Sequence, residues 1–75
     1  MPYISIKAYP KDEKIKKKVV DEINQVFLKY WGCPQDAISI SMEEFAPESW
    51  EEKVVKPEIL PNSHKMMILS GEKKY

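Results

Sequence analysis

Residues 3–9, Tyr-Ile-Ser-Ile-Lys-Ala-Tyr, alternate in character. Ile4, Ile6 and Ala8 point one way, and Tyr3, Ser5, Lys7 and Tyr9 the other, which predicts a strand with one apolar face. Pro10-Lys11-Asp12-Glu13 breaks the alternation, with Asp12 placed to cap a helix and Glu13 to complement its positive start. From Ile15 the period becomes helical: Ile15, Val19, Ile23, Val26 or Phe27, and Tyr30 recur every three or four residues. Gly32 suits the left-handed residue just past a helix, and Pro34 prevents continuation. Ala37–Met42 alternates again, with Ile38, Ile40 and Met42 on one face and Ser39 and Ser41 on the other. Strand, crossover helix of about twenty residues, and strand predict a right-handed βαβ unit with parallel strands.

The remainder is less periodic. Ala46-Pro47-Glu48-Ser49-Trp50 reads as a loop entering a short helix with Pro47 in its first turn, ending near Pro57. Residues 60–69 are expected to form another short helix, and the polar Gly71–Tyr75 tail to fray. The predicted class is α+β, a single domain over 1–75 with short C-terminal helices. A lone two-stranded parallel sheet is not stable by itself. A second copy is therefore expected to complete it to four strands, with both long helices on one face.

Composition supports that expectation. A chain of 75 residues buries little core, so a domain of this size needs a staple or a partner. One cysteine, Cys33, cannot form an internal disulfide, and with one histidine it cannot build a zinc site. Twelve lysines balance twelve acidic residues, and there is no arginine. This balance argues against a nucleic-acid partner. The N-terminus, Met1-Pro2-Tyr3-Ile4-Ser5, lacks the long apolar run of a signal peptide or membrane span, so a cytoplasmic protein is expected.

Pro2 is the first residue with candidate chemistry. A Pro in second position is ordinary at the start of a strand. It is also a residue before which aminopeptidase commonly removes methionine, leaving a secondary amine. An α-amine titrates closer to neutrality than a lysine, and burial lowers its pKa further. Such a base suits proton abstraction beside a carbonyl. Other residues read more simply. His64 lies in a polar stretch and fits a surface or cap role. Cys33 is a small residue in a turn. The Lys14–Lys18 cluster is a solvated face, with Asp21 and Glu22 four residues beyond Lys17 and Lys18. The Tyr3 and Tyr9 face is either an oligomer contact or a pocket wall. Trp31 belongs to the core or an interface.

The ordered set Met1-Pro2, strand, charged turn, long helix, Pro-containing turn and second strand resembles the 4-oxalocrotonate tautomerase family over about residues 2–50. Pro2-Tyr3-Ile4-Ser5-Ile6-Lys7 resembles the family's first strand, Asp12-Glu13 its helix start, and Pro34 with Ile38-Ser39-Ile40 its turn and second strand. Ala46-Pro47-Glu48-Ser49-Trp50 is similar to a small bacterial subgroup carrying P-E-S-W and a longer C-terminal segment. Pro57-Glu58-Ile59 and Met66–Leu69 loosely continue that pattern.

The resemblance implies a cofactor-independent, metal-free enol–keto tautomerase with Pro2 as its catalytic amine. Lys11 falls near the place of a substrate-binding arginine in the founding enzymes, and Ser39 at that of a second. Trp50 falls where an aromatic residue keeps the pocket apolar. Loss of both arginines disfavours a dicarboxylate and favours a smaller enol or 2-oxo acid of the arylpyruvate kind. The founding enzymes are trimers of dimers. The C-terminal extension here implies a dimer, with a hexamer as the alternative. The rival function is a non-catalytic small-molecule-binding or interaction protein on the same scaffold.

Overall fold

A computed structural model describes residues 1–75. The chain divides into two compact units, Met1–Glu44 and Phe45–Tyr75.

The N-terminal unit is the expected βαβ arrangement. β1 (Tyr3–Ala8) and β2 (Ser39–Glu44) are parallel and pair from Tyr3 with Ser39 to Ala8 with Glu44. Burial follows the pleat. Ile4, Ile6, Ile40 and Met42 are half-buried, while Tyr3, Ser5, Ser39 and Ser41 are exposed. α1 (Glu13–Val26) starts where Asp12 caps it, its carboxylate accepting the Ile15 N–H at 2.9 Å. A cap of this kind stabilises a helix by ~1 kcal/mol. The helix widens into a π-turn over Phe27–Trp31 and stops at Gly32, whose N–H reaches the Phe27 carbonyl at 3.2 Å. Gly32 has φ +73°, the left-handed conformation that a residue without Cβ adopts freely.

The stripe the helix turns inward shares Ile23 and Phe27 with the one read off the apolar period and departs from it elsewhere. Lys16, Val20, Ile23, Asn24, Phe27 and Leu28 are half-buried, whereas Ile15, Val19, Val26 and Tyr30 are exposed. Val20 lines a cavity together with Met42 of β2, so the Val20 stripe is the one facing the sheet. α1 thus carries two neighbouring apolar stripes, and this unit covers only one. A 3₁₀ turn, Gln35–Ala37, leads into β2. Asn24 and Gln35 exchange a reciprocal pair of amide hydrogen bonds, 2.9 and 2.8 Å, which fasten the helix to that turn.

The C-terminal unit is irregular. Ala46 precedes a 3₁₀ turn, Pro47–Ser49, with Pro47 in its first positions as expected. A π-helix then spans Glu51–Ile59 and passes Pro57 instead of stopping near it. Proline lacks an N–H and its ring clashes with the carbonyl four residues back in an α-helix. The wider π-turn relaxes that stacking, and Leu60 N–H bonds the Val55 carbonyl at 2.9 Å, five residues back. Val54 is the buried residue of this segment, at 3 % exposure.

The helix expected over 60–69 is not formed. Residues 60–62 form turns and Ser63–Lys65 a 3₁₀ segment, and Met66 is already extended. The chain then makes a hairpin of β3 (Ile68–Leu69) and β4 (Glu72–Lys73). Ser70 and Gly71 have φ of 49° and 82°. Two successive positive values suit a two-residue hairpin loop, because that backbone matches the twist of the strands. The tail expected to fray is therefore paired through Lys73, and Lys74 N–H reaches the Met67 carbonyl at 2.7 Å. No helix is long and apolar enough to cross a membrane.

Candidate active site

The two ends of the β1–β2 sheet carry different chemistry. At the start of β1, Pro2 is half-buried. Its carbonyl accepts the Ser39 N–H at 3.2 Å, so the ladder begins one residue before the strand proper. Pro2 and Ser39 are thus brought together through the backbone. The pleat puts their side chains on opposite faces: Pro2 continues the Ile4–Ile6 face, and Ser39 shares the open face with Tyr3. On that open face the Tyr3 hydroxyl lies 3.3 Å from Ser41 Oγ. Hydrogen bonds from Ser41 and then Ser5, with the positive charge of Lys7, hold the Tyr3 phenol below its ordinary range. The sequence left the role of Tyr3 open between oligomer contact and pocket wall. Its neighbours make it a polarised phenol one residue from Pro2.

At the opposite end the groups are charged. Lys11 follows Pro10 in the turn from β1 to α1. Its N–H donates to Glu44 Oε2 at 2.9 Å, and its side chain is exposed. Lys16 Nζ donates to Glu44 Oε1 at 3.1 Å and to Glu13 Oε1 at 2.7 Å. The Lys11 N–H and then Lys16 hold the Glu44 carboxyl below the usual carboxylate range. Glu13, then Glu44, raise the Lys16 ammonium above the usual lysine value. Glu44 was not singled out from the sequence. The one available signal was an acidic residue ending the strand that must lie beside the end of β1.

Pro2 and Lys11 are not brought together within one chain. Six steps along β1 take the chain from Pro2 to Ala8. At ~3.3 Å per residue this is about 20 Å, beyond the reach of a lysine side chain. Trp50 lies in the C-terminal unit, half-buried between the 3₁₀ turn and the π-helix, with its ring 6.4 Å from Phe45 in an edge arrangement of 74°. An aromatic pair of this geometry fixes ring orientation. Phe45 is thus a second aromatic that the sequence reading did not single out.

An open groove of about 370 Å³ runs beside α1, lined by Glu13, Lys16, Lys17, Val20, Asp21 and Met42. It contains none of Pro2, Lys11, Ser39 or Trp50. Its mixed charge lies over two apolar residues, Val20 and Met42, and none of the residues singled out for chemistry lines it. No group of three or more His, Cys, Asp or Glu side chains is placed to hold a metal ion. His64 is exposed, and Cys33 is half-buried with its Sγ 3.8 Å from the Phe27 carbonyl.

A parallel βαβ unit whose first strand is entered through a backbone-anchored proline defines the structural class. No protein-family model matches the chain. It is similar to curated proteins called Tautomerase PptA. The protein of that name from Pectobacterium atrosepticum is 34 % identical over 64 residues, covering 83 % of this chain and 84 % of the relative. That from Cronobacter sakazakii is 32 % identical over 63 residues, covering 81 % and 83 %. That from Escherichia coli O127:H6 is 36 % identical over 53 residues, covering 68 % and 71 %. The chain belongs to the 4-oxalocrotonate-tautomerase-like family.

Proposed function

We propose that the protein is an enol–keto tautomerase whose base is the Pro2 amine, freed by removal of Met1. Its substrates are small enols or 2-oxo acids of the arylpyruvate kind. The relatives named as tautomerases support the activity. The observation that carries the residue is the anchoring of Pro2 to Ser39, which holds a future amine at a fixed point on the sheet. Met1 is 97 % exposed and accessible to an aminopeptidase.

The neutral amine takes the enol hydroxyl proton, and the electron pair released re-forms the carbonyl as the adjacent carbon gains a proton from the prolinium. In the reverse sense the amine takes the α-proton and returns it to oxygen. The base ends each cycle unchanged, so no redox partner is required. Charge on the substrate oxygen needs a nearby donor, and such preorganised donors contribute heavily to rate. The donor we assign is the Ser39 hydroxyl, which lies on the other face from the Pro2 ring but beside the strand start, where the amine nitrogen lies in the plane of the sheet; Trp50 is the group we assign to exclude water and lower the amine pKa.

Lys11 supplies the positive charge for a substrate carboxylate. Because it lies beyond the far end of β1, a strand about 20 Å long, from Pro2 of its own chain, it serves the Pro2 of another copy. A homodimer whose sheet joins to four strands fits this need. The exposed helix stripe of Ile15, Val19, Val26 and Tyr30 supplies apolar surface for it.

The test is ketonisation of the enol of phenylpyruvate by protein whose loss of Met1 is verified by intact mass. Rapid ketonisation by trimmed protein, and none by protein retaining Met1, is expected. The absence of arginine favours a second reading, a binding protein on the same scaffold. Binding of the substrate without turnover by trimmed protein would establish that one instead.

A further inference from the structure

We propose that Glu44 is a positioning residue for carboxylate recognition, holding the turn that presents Lys11 and having its own charge offset by Lys16. The inference rests on the reading that Lys11 receives the substrate carboxylate.

The turn has few ways to fix itself. Pro10 has no N–H. The Asp12 side chain is engaged with Ile15 N–H, and the Asp12 carbonyl accepts Lys16 N–H at 3.1 Å. The Lys11 N–H is left for a partner from elsewhere, and Glu44 takes it at 2.9 Å from a position 33 residues away in sequence. Glu44 ends β2 directly opposite Ala8, the last residue of β1. The anchor therefore ties the Lys11 backbone to the rim of the sheet. A lysine head on a long stem loses much freedom when it grips a ligand. Fixing its backbone beforehand removes part of that cost.

A carboxylate near an anion site would ordinarily repel the ligand. Here one oxygen serves the Lys11 N–H, and the other lies against the Lys16 ammonium, which Glu13 also holds. Lys16 is the more covered of these groups, with its side chain 20 % exposed against 32 % for Glu44 and 74 % for Glu13. The pair thus fixes the turn while placing little net charge beside Lys11.

The test compares trans-cinnamate, an aryl carboxylate, with its uncharged methyl ester. Both are titrated against the trimmed full-length protein by NMR, and the Lys11 amide is followed by hydrogen exchange. Lys11→Ala should weaken cinnamate about tenfold and leave the ester unchanged. Glu44→Ala should weaken cinnamate about fourfold, speed exchange at the Lys11 amide, and leave the ester unchanged. Adding Lys11→Ala to Glu44→Ala should give no more loss than Lys11→Ala alone. Glu44→Gln still offers an oxygen to the Lys11 N–H and should restore affinity. Glu44→Asp keeps the charge but falls one methylene short, and should behave like Glu44→Ala, which keeps the test open if the alanine variant folds poorly.

Unchanged cinnamate affinity in Glu44→Ala or Glu44→Asp overturns the proposal. So does an equal loss for acid and ester, or a wild type that binds both alike. If the wild type fails to ketonise the enol of phenylpyruvate while the cinnamate pattern holds, the tautomerase reading falls and the positioning role of Glu44 stands.

Discussion

The Pro2 end of the β1–β2 sheet and its Lys11 end differ in almost every physical respect. The first carries neutral hydroxyls, Tyr3, Ser5, Ser39 and Ser41, on the open face of the sheet, and on the other face a proline pinned by its carbonyl. The second is a network of opposite charges around a carboxylate that bridges a backbone N–H and an ammonium. A neutral amine base needs surroundings that do not favour its charged form. Recognition of a carboxylate needs a fixed cation. A single chain keeps Pro2 and Lys11 apart by a strand's length. The same separation obliges one small substrate to span two copies if it is to use both.

The contrast is most severely tested at Pro2. Pro2→Ala keeps a free amine after trimming but changes its class and geometry. kcat/KM for the enol of phenylpyruvate should fall by about 10²-fold or more, the range seen for loss of a positioned acid–base group. A fully active variant removes Pro2 from the mechanism. The separation of the two ends predicts complementation. Pro2→Ala and Lys11→Ala proteins, each impaired, should regain activity when unfolded together and refolded. Random pairing into isologous dimers leaves about a quarter of the sites with both groups intact. No recovery, in a mixture shown by mass to contain hybrid dimers, refutes sharing of Lys11.

Trp50 sharpens the same comparison from the amine side. If the indole keeps water from the amine, Trp50→Ala raises the amine pKa, moves the acid limb of the kcat/KM profile upward, and lowers the rate near pH 7. If Trp50 only packs, its loss costs about 3–5 kcal/mol of stability, and the surviving folded protein keeps its profile.

The smallest effect belongs to the charged end. The Glu44 carboxyl is held low by the Lys11 N–H and Lys16. Its contribution to stability is therefore present above the unfolded carboxylate pKa and lost as pH falls through the folded one. The Lys16 ammonium is held high by Glu13 and Glu44. Its contribution is complete below the unfolded lysine pKa and lost as pH rises through the raised one. Both groups meet solvent, so the effect is a small one. Urea midpoints of wild type and Glu44→Gln should differ slightly at pH 7 and converge toward pH 3. A gap that persists at acid pH excludes a carboxylate origin.

The legible parts of the chain were those where a short period met a clear stop. Alternation identified β1 and β2, and Asp12, Gly32 and Pro34 bounded the helical segment, because capping and φ preferences act over a few residues. The rotation of α1 was not legible. Its apolar arc includes both Val19 and Val20, and only packing on the sheet selected the Val20 stripe. The hairpin after Met67 was missed although Ser70-Gly71 is a turn dipeptide, since four apolar residues in a row, Met66–Leu69, fit a buried helix as well as a strand.

For the site, sequence alone determined which side chains are present: a proline in second position, no arginine, and a lysine in a proline-bounded turn. It could not determine how far apart they lie. That distance depends on parallel pairing and register, contacts between residues more than thirty positions apart, which no local period encodes. The tertiary structure alone placed Ser39 N–H on the Pro2 carbonyl, Glu44 on the Lys11 N–H, and a strand's length between the two.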